Sequence, residues 1–134
     1  MELFHVTATA NLASIAEVGL LPGAYLSGDE ALTAYYKETV EEEGAQPALL
    51  VVALSDLDSS ALEPDYPGIA EPITTVIGLS ESEVQDAWSA AAGSWEDSLE
   101  IVKSVRYRSP IPVSALRVVV DDETMALQDY LKYL

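Results

Sequence analysis

The alternation of apolar and polar residues changes period repeatedly along this chain, and each change marks an element. Leu3 to Val6 reads as a short strand with His5 at its end. From Ala10 to Val18, Leu12, Ile15, Ala16 and Gly19 recur at helical spacing, so a helix is predicted there. Thr7 or Thr9 can cap it, Gly19 closes it, and Leu20-Leu21-Pro22-Gly23 is a turn. Ala24-Tyr25-Leu26 is a short extended piece. Ser27-Gly28-Asp29-Glu30 then fits a capping box, with Ser27 as N-cap and Glu30 three positions into the helix. That helix runs to about Glu43, turns Leu32, Tyr35, Tyr36, Thr39 and Val40 inward, and stops at Gly44.

Pro47 to Leu54 is apolar throughout, as expected of a strand covered on both faces. Ser55 to Gly68, rich in Asp, Ser, Pro and Gly, is predicted as a loop, and Pro72 to Ile77 as a β-branched strand. Ser80 or Ser82 caps a short helix ending near Gly93. Leu99 to Arg108 alternates, with Leu99, Ile101, Val105 and Tyr107 on one face and Glu100, Ser104, Arg106 and Arg108 on the other. Lys103 interrupts the apolar face. Ser109-Pro110-Ile111-Pro112 is a rigid corner before a strand from Ala115 to Val120, and Asp121 or Asp122 begins a C-terminal helix to Leu134. With no repeat or linker in 134 residues, the prediction is a single α+β domain spanning 1–134.

Composition narrows the chemistry. Without cysteine there is no disulfide, thiolate zinc site or cysteine nucleophile, and one histidine rules out a multi-histidine metal centre. No metal is expected. The longest apolar run, Pro47 to Leu54, is far short of the ~20 residues of a membrane span. Met1-Glu2-Leu3-Phe4-His5 has no basic leader character, so a cytoplasmic location is expected.

Six basic residues face 23 acidic ones, giving a net charge of −17, which disfavours direct binding to nucleic acid. Few lysines, many acids and abundant Ala and Val suit a halophilic protein, whose excess carboxylate keeps its surface soluble in a high-salt cytoplasm. The rival reading is an acidic mimic of a nucleic-acid backbone that inhibits a nucleic-acid-binding partner. Against it, Lys103, Arg106, Arg108 and Arg117 form a local basic cluster that such a mimic has no use for.

Three segments carry candidate chemistry. Each has an ordinary structural reading: a lone histidine at a strand end, a core tyrosine at position 25, and an edge strand with a charged face from Trp95 to Arg108. Taken in order they form a pattern. His5-Val6-Thr7 precedes Asn11-Leu12-Ala13-Ser14-Ile15-Ala16-Glu17-Val18-Gly19-Leu20; Tyr25-Leu26-Ser27 precedes a helix; a late strand precedes Pro110-Ile111-Pro112. From Leu3 to about Val119 this order resembles the ADP-ribosyltransferase-like superfamily. It looks closest to small bacterial and phage members, in a group that includes RNA 2′-phosphotransferases and rifampin ADP-ribosyltransferases.

The resemblance implies a split, curved β-sheet with peripheral helices and a cleft for NAD as co-substrate. It implies transfer of ADP-ribose to a protein, nucleic-acid or small-molecule acceptor. Residue by residue, it assigns the motif histidine to His5, which would hold a ribose hydroxyl, and the motif tyrosine to Tyr25, on which nicotinamide would stack. Thr7, Ser27, Ser104 and Arg106 are the further NAD-contacting candidates. The family's third element, a Glu opening a strand that steadies developing positive charge, falls on or near Ser104 counting back from Pro110-Ile111-Pro112. Glu100 lies four residues earlier on the same predicted strand face. Either Glu100 is the catalytic carboxylate or Ser104 replaces it; in the latter case Arg106 or Arg108 can hold phosphate, as arginines do in the RNA 2′-phosphotransferases. A member that binds a nucleotide or a protein without turnover is the alternative.

The charge carries its own prediction. Screening lengths fall from ~30 Å at 0.01 M salt to ~3 Å at 1 M, so self-repulsion among the carboxylates should weaken steeply with added salt. The melting temperature is expected to rise from dilute buffer to molar sodium chloride. A flat profile would contradict adaptation to salt.

Overall fold

Two long strands set the centre of the molecule. β1 (Glu2–Ala8) and β3 (Pro47–Ala53) pair antiparallel from Glu2↔Ala53 to Ala8↔Pro47. The remaining strands are short: β2 (Ala24–Ser27), β4 (Leu62–Pro64), β5 (Ser104–Tyr107), β6 (Arg117–Val120) and β7 (Glu123–Ala126). This computed structural model describes residues 1–133. Among the described residues these strands form one antiparallel sheet in the order β4-β5-β2-β1-β3-β6-β7. Helices α1 (Leu12–Val18), α2 (Glu30–Glu42), α3 (Ile73–Val76), α4 (Glu81–Ala90), α5 (Trp95–Ile101) and α6 (Leu127–Tyr130) surround it. None of the described helices is long and apolar enough to cross a membrane. The α+β single-domain expectation holds.

Period-two alternation sorts the strand residues onto two faces. Leu3, Leu26, Leu50, Val52, Val105, Tyr107 and Val118 point into the main core, where they meet Leu12 and Ile15 of α1, Ile111, Leu116 and Leu127. The fully buried leucines among them contribute about 1.5–3 kcal/mol each. The opposite face of β1 and β3 is covered by α2, which buries Leu32.

Several predicted elements are corrected. Ser27 stays in β2 and does not cap α2; Asp29 does, accepting the Leu32 N–H at 3.0 Å. The α1 helix has no side-chain cap from Thr7 or Thr9. Within the Ser55–Gly68 stretch, 3-10 turns alternate with the edge strand β4. The β-branched run Pro72–Ile77 is not a strand but α3, packed against α2 and α4, because a short apolar run carries no period that separates helix from strand.

The alternation read from Leu99 to Arg108 as one strand divides in two. A Ser94–Asp97 capping box, with Ser94 Oγ accepting the Asp97 N–H at 3.3 Å, starts α5. Lys103, at φ 65°, then turns the chain into β5, so the residue that broke the alternation is the joint itself. The C-terminal helix predicted from Asp121 to Leu134 is largely replaced. Asp121 (φ 50°) and Asp122 (φ 67°) form the two-residue turn of a β6–β7 hairpin, and only Leu127–Tyr130 and the 3-10 turn Leu131–Tyr133 are helical. Leu134 lies outside the described residues.

Gly19 closes α1 as the sequence predicted and does one thing more. At φ 80° it feeds Leu20 into paired 2.9 Å hydrogen bonds with Ile111, and a Cβ there would stand 2.3 Å from the Ile111 carbonyl oxygen. Gly44, at φ 84°, has open space around it. Gly44→Ala should cost about 1–2 kcal/mol from its backbone alone, and Gly19→Ala measurably more from the added collision. Urea midpoints of the two variants provide the comparison, and equal losses would contradict it.

Candidate functional site

The neighbours β1 and β2 share the register pair Phe4↔Ser27 and then diverge, whereas β2 stays paired with β5 along its whole length. Beyond Phe4 a side chain supplies the link that the backbone ladder leaves out. His5 Nδ1 lies 2.9 Å from the Tyr25 carbonyl oxygen. Since a carbonyl only accepts, Nδ1 carries the proton, and in the neutral ring Nε2 remains a free acceptor. Burial holds the His5 imidazole below the usual histidine range, with the Tyr25 carbonyl acting weakly in the other direction. The ring is therefore neutral at pH 7.

The gap between the strands is a cavity of about 180 Å³, lined by Phe4, His5, Val6, Tyr25, Ser27 and Tyr36. His5 and Tyr25 thus meet at one place. A separate hollow of about 380 Å³ shares His5 as a wall residue and is otherwise lined by Thr7, Asn11, α1 and the Gly19–Ala24 turn. Thr7 Oγ1 there accepts from Asn11 Nδ2 at 3.0 Å. The Ser27 hydroxyl is buried against Thr33 Oγ1, 2.9 Å away.

Register places Tyr25 opposite Arg106 and Ser27 opposite Ser104, so all four share a face. The Arg106 guanidinium lies 6.0 Å from the Tyr25 ring centroid and is ion-paired with Glu63, which also lies 3.6 Å from Arg108. With Glu63 beside them, these arginines are not free anion receptors. Ser104 is 1% exposed and donates to the Asp65 carboxylate.

Glu100 is placed differently from its prediction. It belongs to the last turn of α5 and is exposed, so it does not project from the β5 face, and it is absent from the lining of the His5–Tyr25 cavity. Three residues at or beside the site were missed. The helical spacing counts Tyr36 among the inward-facing residues of α2, although its spacing from Tyr25 suits a side chain returning over the strand it follows. Its phenol is pushed up to about 12 by burial first and by the negative charge of Asp65 next, so it remains a hydrogen-bond donor. Glu63 and Asp65 lay in the stretch assigned to loop, where nothing but their charge marked them.

The lowered His5 value sets a pH window. Unfolding returns the ring to its ordinary value, near 6.5, so below that pH the unfolded chain binds a proton that the folded chain resists. The resulting stability is whole above about pH 6.5 and is lost as pH falls through the lowered folded value. His5→Gln should flatten the slope of unfolding free energy just below pH 6.5, while the steeper loss near pH 4 remains. Asp58, Glu71 and Asp97, whose hydrogen bonds hold them below the ordinary carboxylate range, contribute to that acid limb. An unaltered slope in the variant would exclude His5 as its source.

Comparison of the chain with protein-family models, curated proteins and solved structures finds no match to any of them.

Proposed function

We propose that this chain is an ADP-ribosyltransferase-like protein that takes NAD as co-substrate in the cleft between β1 and β2 and transfers ADP-ribose to an acceptor, a protein among the candidates. The observation carrying this reading is that His5 and Tyr25, far apart in sequence, line one cavity at the place where two neighbouring strands separate. The chemistry agrees with the assignment. Nε2 of a neutral His5 is an acceptor suited to a ribose hydroxyl, and the Tyr25 ring, 39% exposed, offers a face for stacking. At about 180 Å³ the inner cavity suits one flat ring, since pockets that enclose whole drug-sized ligands run to roughly 300–1,000 Å³. The 380 Å³ hollow that shares His5 as a wall residue has the volume for the rest of a nucleotide.

A second reading, binding without turnover, is favoured by the position of the acids. Glu100 is exposed on α5, and Ser104, on or near the position to which the resemblance assigns the family's Glu, stands at the start of β5. NAD should raise the melting temperature under both readings; release of nicotinamide, alone or with candidate acceptors, belongs to the first. Tyr25→Ala should weaken NAD binding by roughly 1 kcal/mol, about fivefold, while Tyr25→Phe keeps the ring and should bind as the parent does. Titration calorimetry on the two variants tests the stacking. No melting shift with NAD at millimolar concentration would remove both readings.

A further inference from the structure

Among the described residues Asp65 is the only buried carboxylate, 1% exposed. Both its oxygens accept hydrogen bonds: Oδ1 from the Gly68 N–H at 3.0 Å and Oδ2 from the Ser104 hydroxyl. No lysine or arginine pairs with it among the described residues. An anion buried without a counterion is expensive, and the protein interior screens its potential less than water would. The neighbouring space here is the site. Ser104, which holds the carboxylate, stands opposite Ser27 in the β2–β5 register, and Ser27 lines the cavity. Tyr36, on another wall, feels the Asp65 charge. Phe4, Tyr25 and Tyr36 line the cavity beside His5 and Val6, and ring faces attract cations. A missing counterion and an aromatic lining point to the same kind of guest.

We propose that Asp65, acting through Ser104, makes the His5–Tyr25 cavity selective for a positively charged flat ring over its neutral counterpart. Asp65 is thereby a positioning and specificity residue that never touches the ligand. In naming the ring as the pyridinium of oxidised NAD, the proposal rests on the function proposed above; the preference for a cation does not.

The test compares pairs of probes that differ in ring charge, by titration calorimetry on the intact chain: NAD against NADH, and 1-methylnicotinamide against nicotinamide. The parent is expected to prefer the cation of each pair by about tenfold. Asp65→Asn should shrink that preference to within about twofold by weakening the cation alone. Glu41→Gln, which removes an exposed charge at the far end of α2, should leave the preference intact and so separates Asp65 from the general negative charge. If Asp65→Asn does not give a cooperative melt, Asp65→Ser, which also removes the charge, replaces it, with the same narrowing expected. A parent indifferent to ring charge, a parent that binds none of the four probes, or a preference unchanged in the variant overturns the proposal. A parent that ignores both dinucleotides yet binds 1-methylnicotinamide in an Asp65-dependent way upholds it and discards the NAD reading.

Discussion

The hydrogen bond from His5 to the Tyr25 carbonyl is the interaction on which the site depends. A sheet keeps its strands about 4.8 Å apart because backbone donors and acceptors must meet, and a gap between neighbours leaves those groups without partners. Here the imidazole satisfies the Tyr25 carbonyl, so β1 and β2 separate without an orphaned acceptor at that position. The same bond fixes the ring's tautomer and keeps it from turning. Opening the cleft and orienting its histidine are one event.

Around that gap, charge is arranged by depth. The outer end of the β2–β5 face carries an Arg106–Glu63 pair with Arg108 nearby, all partly exposed and mutually neutralising, a surface arrangement of small energetic weight. The inner end carries an unpaired carboxylate held by hydroxyl and amide donors. Exposed carboxylates on the rest of the molecule raise the overall negative potential but are screened by salt. Asp65 is shielded from that screening, so its field in the cavity persists where the surface field does not.

Much of this was legible in the sequence where a residue had one physical role. The apolar run of β3 and the helical spacing before Gly19 each admitted a single reading, and the structure keeps them; of the two cap candidates Ser80 and Ser82 it selects Ser80. His5 and Tyr25 could be singled out because they fall in a recognisable order, although β1 runs on to Ala8 and leaves His5 in mid-strand rather than at the predicted strand end. Errors arose where two signals overlapped. Leu99 and Ile101 alternate with Glu100 as a strand would, yet the Ser94–Asp97 cap upstream commits the same residues to a helix. Asp121 and Asp122 resemble a helix start but adopt left-handed backbone angles and form a hairpin, a conformation usually advertised by glycine. Asp65 was unreadable for a different reason. A carboxylate in a Pro- and Gly-rich stretch looks solvated, and only the tertiary fold reveals that Ser104 and Gly68 enclose it.

The two outermost strands have a consequence for handling the protein. β4 is three residues long and ends in Pro64, which has no N–H to offer; β7 is four residues long, with Glu123 and Thr124 exposed. Neither edge presents more than a short ladder on which another chain could extend the sheet. A protein whose central strand pair is flanked by such blunt margins resists edge-to-edge aggregation by its backbone geometry, even in concentrated salt where charge repulsion no longer keeps copies apart.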